Sequence, residues 1–341
     1  MAGTAATAET LRIATFAAPL SRDGPGLLLR DIEKGEDAQI LAVRDIIAKV
    51  SPDILLLTNF DYDLDQKALA AFAGVTAYPH TFSLPTNAGL PSGADLDNNG
   101  RLREPRDMQG YGRFRGDGGM AILSRFPIAK DTVADFSEML WQDLPGAVLP
   151  ADITPEAQAV QRLSTTGHWR VPVNAPGGPV TLFASAHTPP VFDGPEDRNG
   201  LRNRDELRLW ELMLSGELGQ RPVDFAILGN LNLDPMDGEG LRDGMRAMLG
   251  NAQLQDPQPQ SKGAAAAADP SHRGDPALDT ADWSDSGPGN LRVSYVLPAA
   301  TWQVKDAGVF WPAPDDPDAA LLGSDGFAAG PHRLVWVDIS R

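Results

Sequence analysis

The sequence predicts an α/β fold, because short apolar segments alternate with amphipathic segments along most of the chain. Several of the apolar segments are bounded by Gly, Pro or Asn, as buried strands commonly are. Hydrophobic residues make up 42% of the 341 residues, which suffices for a large core in one large domain or two ordinary ones. Strand candidates continue to the C-terminus without a boundary, so we expect one domain over residues 10–341.

The individual strands and helices follow from the periodicity of the apolar residues. Strands are expected at 11–16, 54–57, 119–124, 180–186, 223–229, 292–297 and 334–339. A helix is expected over 37–50, where Ile40, Val43 and Ile47 fall on one face and Pro52 follows. Two further helices are expected, at 201–214 and at about 240–249. Strands interleaved with helices indicate a layered α/β protein.

Two long segments lack this periodicity. Residues 79–118 are rich in Pro, Gly, Asn and Asp, and residues 257–290 in Pro, Ser, Asp and Gly. A loop longer than about 15 residues in a compact domain is usually either functional or mobile. We expect the first segment to be functional. The second has low complexity, with a run of alanines at 264–268, and we expect it to be a mobile surface insertion.

The charge and the absence of cysteine exclude several functions. The chain has 46 acidic and 29 basic residues, a formal net charge of −17. Such a surface repels a polyanion, so we expect no nucleic-acid partner and a small or cation-bridged substrate. Without cysteine there are no thiolate zinc sites, cysteine nucleophiles or disulfides. No apolar run approaches the roughly 20 residues that span a membrane, and we expect a monomer.

The N-terminal residues 1–9 carry a feature of export signals. They are uncharged before Glu9 and contain Ala6-Thr7-Ala8, the A-x-A form of a signal-peptidase site. The basic and long apolar regions of a signal peptide are missing. The segment is therefore either the remnant of a trimmed signal or a short disordered tail. We favour export, to the periplasm or out of the cell.

Polar residues stand at the ends of most predicted strands. They are Asn59 after the second strand, His187 after the fourth, Asn230 and Asn232 after the fifth, Ser294 within the sixth and His332 before the last. Polar groups repeated at the strand ends of an α/β protein predict one shared site at one edge of the sheets.

Seven short motifs extend from about Leu11 to Ile339. They are 11-LRIATF-16, 52-PDILLLTNFD-61, 118-GGMAILSRFPI-128, 186-AHTPP-190, 229-GNLNLDP-235, 292-RVSYVL-297 and 330-GPHR-333. In this order they resemble the motifs of the endonuclease/exonuclease/phosphatase superfamily, whose fold is that of DNase I-like nucleases, inositol-phosphate phosphatases and sphingomyelinases. The resemblance implies a four-layer α/β sandwich, in which two mixed β-sheets pack face to face with helices outside.

The resemblance also implies metal-assisted phosphoester hydrolysis. In the family, acidic residues hold Mg²⁺ or a similar ion such as Mn²⁺, which polarises the phosphoryl group. Carried over by motif, His187 and Asn232 contact the phosphoryl group and His332 is the general base. These three residues are the candidate catalytic residues.

The acidic positions of these motifs hold neutral residues in this chain. Asn59 replaces the metal-binding Glu, Asn230 the water-orienting Asp, Ser294 the Asp of the sixth motif and Pro331 the Asp before the last His. Neutral amides lack the negative oxygens that hold a hard cation, and a His without a carboxylate partner loses its orientation. We therefore predict that Asn59, Asn230 and Ser294 contact substrate, and that Asp61 is a displaced metal ligand.

Three interpretations of these replacements stay open. The metal site is relocated to nearby acidic residues, namely Asp61, Asp63, Asp193, Glu196, Asp197 or Asp234. Alternatively, the site works without metal or binds an anionic ligand without hydrolysis. In the third interpretation the scaffold serves interaction alone. The leading prediction is a phosphoesterase acting on a small phosphate-containing compound, and the alternative is an inactive binding module.

Two arginines follow the His187 motif. Arg198 and Arg202 are predicted to bind the substrate phosphate, where they replace the lost metal charge. The alternative is a solvated loop that leads into a helix.

The first long loop contains a candidate calcium site. Asp95, Asp97 and Asn99 alternate before Gly100, as oxygen ligands do in calcium loops. The twelfth position, which carries a carboxylate in an EF-hand, is Arg106. We expect a structural Ca²⁺ that orders the loop and takes no part in catalysis. The alternative is a series of Asx turns.

Overall fold

Two mixed β-sheets packed face to face form the centre of the fold in the computed structural model, which describes residues 9–341. Helices cover the outer faces, so the predicted four-layer α/β sandwich is confirmed. The predicted signal remnant, with Ala6-Thr7-Ala8, lies outside the described residues.

Sheet 1 has six strands. In spatial order they are β10 (Gln303–Val309), β11 (Val335–Ser340), β1 (Leu11–Phe16), β2 (Ile54–Phe60), β4 (Gly119–Ser124) and β3 (His80–Phe82). The β1–β2 pair is parallel and the other pairs are antiparallel.

Sheet 2 has five strands. In spatial order they are β5 (Ala134–Asp135), β6 (Gly167–Ala175), β7 (Gly178–Ala186), β8 (Phe225–Asn230) and β9 (Ser294–Pro298). Here β7–β8 is the parallel pair. The sheets meet through β1 against β8 and β9, β2 against β8 and β11 against β9. Ile13, Leu228 and Val337 are fully buried, and each such side chain contributes about 1.5–3 kcal/mol of hydrophobic stabilisation.

Seven α-helices connect the strands within residues 9–341. They are α1 (Leu27–Lys34), α2 (Ala38–Val50), α3 (Lys67–Thr76), α4 (Pro155–Val160), α5 (Arg198–Ser215), α6 (Arg242–Leu249) and α7 (Lys262–Ala266). On sheet 1, Phe72 of α3 packs edge-on against Phe60 with ring centroids 5.8 Å apart. On sheet 2, Trp210 of α5 packs on Phe183 with ring centroids 5.1 Å apart. Among the described residues no helix is both long and apolar enough to cross a bilayer.

The predicted strands and helices are all present, with boundaries shifted by a few residues, but several elements were missed. One is β6, because Pro172 argues against a strand. The structure tolerates Pro172 because the edge strand β5 pairs only with Arg170 and Trp169, so no neighbour needs the missing N–H. Another is β10, a hydrophilic edge strand that carries Lys305 and Asp306 and has no apolar periodicity.

The segment 257–290 is not confined to the surface. It contains α7, and Ala264, Thr280 and Ala281 are fully buried. Thr280 and Ala281 donate their backbone N–H groups to the carbonyl of Leu291 at 3.0 and 3.1 Å. Ala281 also bridges to His332. These contacts place the end of the segment beside β9, at the edge where the predicted site lies.

Gly229 explains why the fifth motif begins with glycine. Its φ is 149°, and a Cβ atom there would lie 1.8 Å from the carbonyl oxygen of Ser185. Only glycine lets β8 approach β7 so closely just before Asn230.

Candidate functional site

Strands of both sheets end at one edge of the sandwich, and this edge brings several predicted site residues together. In sheet 2, Ala186 is in register with Asn230, and Asn230 is in register with Ser294. The His187 N–H donates to the Asn230 carbonyl at 3.0 Å. Asn230, Ser294 and the chain at His187 are therefore neighbours, as the motif order predicts.

Asn232 links the strand ends of sheet 2. Its side-chain Nδ2 donates to the carbonyl of His187 at 2.7 Å, and its N–H donates to Val293 at 3.1 Å. Its φ of 52° is left-handed, a conformation that asparagine tolerates better than most residues. Asn232 thus fixes the geometry of the edge, and its predicted contact with a phosphoryl group stays a prediction.

His187 lies under helix α5 and not at the open edge. Its Nε2 shares a hydrogen bond of 2.9 Å with Ser185 Oγ, which also accepts from Trp210 Nε1. The ring stacks on His168 with centroids 5.1 Å apart and is 3% exposed. Burial, reinforced by His168, lowers the pKa of His187 well below its usual value. Its Nδ1 is buried and has no hydrogen-bond partner among the described residues, so the predicted contact of His187 with a phosphoryl group stays a prediction.

His332 lies at the edge without a carboxylate partner. Its ring meets Trp283 edge-on at 5.2 Å, and its buried Nδ1 has no hydrogen-bond partner among the described residues. Burial and the neighbouring Arg333 charge lower the pKa of His332 to about 4. The imidazole is neutral at pH 7, which a general base requires. However, no described acidic side chain orients it.

On sheet 1, Asn59 and Asp61 stand at the end of β2 in different surroundings. Asn59 is exposed, with a φ of 62°, and its Oδ1 would lie 3.1 Å from a Cβ atom at Gly118. Asp61 is buried, and its two oxygens accept the N–H groups of Arg22 and Gly118 at 2.9 and 3.0 Å. Burial raises the pKa of Asp61 despite these bonds. These two hydrogen bonds hold the chain at Arg22 and at Gly118 against the end of β2, so Asp61 has a structural function.

Buried polar atoms without partners stand at or near the ends of four strands. They are Thr15 Oγ1 on β1, Thr58 Oγ1 on β2, Asn230 Oδ1 on β8 and Ser294 Oγ on β9. Buried polar atoms are nearly always satisfied, so such a set indicates a place for water or a ligand. The sequence reasoning missed Thr15 and Thr58. Their signal is a hydroxyl inside an otherwise apolar strand.

These residues do not fit a divalent cation held in the way the resemblance implies. Apart from Asp61, whose two oxygens already accept backbone N–H groups, the predicted side chains at the edge are neutral amides, a hydroxyl and imidazoles, whereas Mg²⁺ and Mn²⁺ prefer carboxylate oxygens. Among the described residues, the only group of three acidic or histidine side chains with ligand atoms within 4.8 Å of one another is Asp95, Asp97 and Asp107. That group lies in the loop 79–118.

Arg202 and Arg198 are engaged in the protein interior, which corrects their predicted phosphate contact. Arg202 is buried, and its guanidinium donates to the carbonyls of Leu163, Gln109 and Arg162 at 2.5–2.8 Å. Burial lowers the pKa of Arg202 to about 10. Arg198 donates to the Leu96 carbonyl and has 11% of its side chain exposed. Both arginines bind the N-terminal part of α5 to neighbouring loops.

The candidate calcium loop gathers a different ligand set from the one predicted. Asn99 is turned away, because its Nδ2 donates to Asp97 at 3.1 Å and to Glu104 at 2.7 Å. The buried Asp107, which was not predicted, joins Asp95 and Asp97 instead. Asp97 Oδ1 is buried without a partner. Three carboxylates are suitable ligands for Ca²⁺. The structural calcium ion stays a prediction.

Comparison with known structures identifies the class of the fold. The chain resembles an endonuclease/exonuclease/phosphatase from Beutenbergia cavernae DSM 12333, with 18% identity, a TM-score of 0.59 and coverage of 97% of this chain and 71% of that one. It also resembles a 3′–5′ exonuclease from Neisseria meningitidis, with 17% identity, a TM-score of 0.52 and coverage of 97% and 100%. A sphingomyelinase C from Streptomyces griseocarneus matches with 14% identity, a TM-score of 0.51 and coverage of 97% and 99%. At these identities the likeness establishes the fold.

The family follows from the sequence itself. The model of the endonuclease/exonuclease/phosphatase family matches residues 32–325, so the chain belongs to this family. No curated protein matches the chain.

Proposed function

We propose that the protein binds a small phosphate-containing compound at the edge where its two sheets end, and that it does not use the metal-assisted hydrolysis implied by its motifs. The observation that carries the proposal is the set of buried polar atoms of Thr15, Thr58, Asn230 and Ser294 at the strand ends, which have no hydrogen-bond partner among the described residues. Hydroxyls and amides bind a phosphoryl oxygen by hydrogen bonding without a cation.

Family membership supports the chemistry of this ligand. The family is named for nucleases and phosphatases, and the similar structures include an exonuclease and a sphingomyelinase C. A small compound fits better than a nucleic acid, since the net charge of −17 repels a polyanion.

Hydrolysis of a phosphoester without metal is the second candidate function. It is favoured by His332, whose buried Nδ1 has no hydrogen-bond partner in residues 9–341, and by Asn232, which stands at a motif position beside Asn230. In this case His332 removes a proton from the attacking water, and Asn230 and Asn232 stabilise charge on the phosphoryl oxygens.

Calorimetric titration with inorganic phosphate, a phosphomonoester and a phosphodiester tests the proposal, with parallel turnover assays in Mg²⁺, Mn²⁺, Ca²⁺ or chelator. We expect saturable binding, at least tenfold weaker in Asn230→Ala and Ser294→Ala, and no turnover. Asn174→Ala is the control, because Asn174 is exposed at the other end of sheet 2.

The two functions give opposite results in this experiment. Turnover that His332→Ala abolishes establishes the enzyme and overturns the binding proposal. Binding that is unchanged in Asn230→Ala and Ser294→Ala places the ligand elsewhere and also overturns it.

A further inference from the structure

Helix α5 carries a buried amide that joins two strand ends of sheet 2. Asn203 is fully buried, and its Nδ2 donates to the carbonyl of Thr188 at 2.7 Å and to that of Leu231 at 2.9 Å. Thr188 lies two residues beyond the end of β7, and Leu231 directly follows Asn230, the last residue of β8. One side chain of the helix therefore holds the chain after β7 against the chain after β8.

Glu206 holds the same segment from the next turn of α5. It is fully buried, and its Oε2 accepts the N–H of Thr188 at 2.7 Å. Its Oε1 accepts the N–H and the hydroxyl of Thr165 at 2.7 and 2.8 Å. Both backbone polar groups of Thr188 are thus bound by side chains of α5 that stand three residues apart, on one face of the helix. The segment after β7 takes its position from this helix.

The segments that α5 holds also carry candidate binding residues. The His187 N–H donates to the carbonyl of Asn230 at 3.0 Å, and the Leu231 N–H donates to the carbonyl of Val293 at 2.9 Å. Val293 immediately precedes Ser294. Leu231 thus connects the helix both to Asn230 and to Ser294.

We propose that Asn203 and Glu206 are positioning residues of the ligand site, a function that rests on the phosphate binding proposed above. They hold the strand ends at the spacing that the ligand requires of Asn230 and Ser294. Both positioning residues are 0% exposed, so they act through the backbone and not by contact with the ligand. Hydrogen-bonding groups bind a ligand tightly when the surrounding structure fixes their positions before the ligand arrives.

Asp205 provides a matched control on the same helix. It is fully buried, and its Oδ2 accepts hydrogen bonds of 2.7 Å from Trp141 Nε1 and from the N–H of Val148. It also pairs with Arg204. Asp205→Ala therefore removes at least as many buried contacts of α5 as Asn203→Ala does. Its backbone partner lies in the segment 141–148, away from the residues proposed to bind the ligand.

Calorimetric titration with inorganic phosphate tests the positioning. We expect Asn203→Ala to bind about tenfold more weakly than the parent, and Asp205→Ala to bind within about twofold of it. Urea unfolding checks that both variants are folded. Glu206→Gln is a second, isosteric variant that is also expected to weaken binding. Its single amide oxygen keeps two hydrogen bonds by facing Thr165, so Thr188 loses its acceptor.

Amide hydrogen exchange without ligand separates the positioning from the proposed function. Asn203→Ala is expected to speed exchange at the N–H groups of Thr188 and Leu231, and Asp205→Ala is not. Parent-like phosphate binding in Asn203→Ala, or equal weakening by Asn203→Ala and Asp205→Ala, overturns the positioning and leaves the proposed function standing. A parent protein that binds no phosphate overturns the proposed function. In that case unchanged exchange at Thr188 and Leu231 shows that Asn203 does not hold the strand ends either.

Discussion

Arg202 illustrates how a residue with the right chemistry for a ligand can serve the fold instead. The sequence places this arginine four residues after Arg198, in the segment that follows the candidate histidine His187. The structure turns its guanidinium inward, where it binds backbone carbonyls that would otherwise be buried without donors. The same reversal applies to Asp61, whose oxygens close a loop by accepting two backbone N–H groups.

Replacing Arg202 by methionine is expected to lower the free energy of unfolding by about 2–3 kcal/mol, because several buried carbonyls lose their donors. Arg106→Met is the matched control, since Arg106 is exposed, and we expect a change below about 0.5 kcal/mol. Urea unfolding measures both. A stable Arg202→Met protein that has lost ligand binding would show instead that Arg202 is a ligand residue.

Among the elements, the loop 79–118 carries the predicted calcium site, which stays a prediction, and it brings in one carboxylate that the sequence pattern does not indicate. Asp95 and Asp97 alternate as in calcium loops, but their partner is Asp107, which the local spacing does not reveal. Asp107 comes into place because its oxygens accept the N–H groups of Leu96 and Glu104 at 3.0 Å each. The short helical turn 105–107 presents it to the loop.

Calcium is expected to stabilise this loop. At a hundredfold excess over the dissociation constant, a bound ion raises the free energy of unfolding by about 2.7 kcal/mol. Asp97→Asn should abolish this gain, and Asn99→Ala should retain most of it, because the Asn99 side chain is already hydrogen-bonded to Asp97, to Glu104 and to the N–H of Arg101. Thermal unfolding with calcium or chelator measures the effect. Equal gains in Asp97→Asn and the parent would place the ion elsewhere.

At the scale of the whole molecule, three histidines are enclosed in neutral form. Burial lowers the pKa of His168 to about 3 and that of His332 to about 4, and His187 is lowered as well. The pKa of Glu206 is shifted the other way, because burial raises it to about 7. The stability of the protein therefore depends on pH through groups on both sheets.

The sign of the histidine effect follows from proton uptake. Between about pH 6.5 and pH 4 the unfolded chain binds protons at these histidines while the folded protein does not, so acidification in this range lowers stability. We expect His332→Gln to reduce the slope of unfolding free energy against pH by up to about 1.4 kcal/mol per unit. Denaturant unfolding at pH 7, 6 and 5 measures the slope. An unchanged slope would mean that His332 titrates normally.

The contribution of Glu206 to stability depends on pH in the opposite way to that of the histidines. Its folded-state pKa is raised, so the folded protein holds a proton that the unfolded chain releases, and its contribution is lost as the pH rises through about 7. Together with the histidines this places the greatest stability between mildly acidic and neutral pH.

The sequence by itself determined the family, the two-sheet sandwich and the strand ends that form the edge. Periodic apolar residues define strands such as β1 and β8, and Gly229 and Asn230 mark where β8 ends. Strand and helix patterns are local, so they can be recognised without knowledge of distant contacts.

Only the tertiary structure decided what the individual polar side chains do. Whether His187 faces a ligand or helix α5 depends on Trp210 and Ser185, which packing places beside it. Thr15 and Thr58 become candidate site residues because their buried hydroxyls have no hydrogen-bond partner among the described residues. Burial and hydrogen-bond satisfaction arise from contacts between residues far apart in sequence, and the linear spacing of residues does not encode them directly.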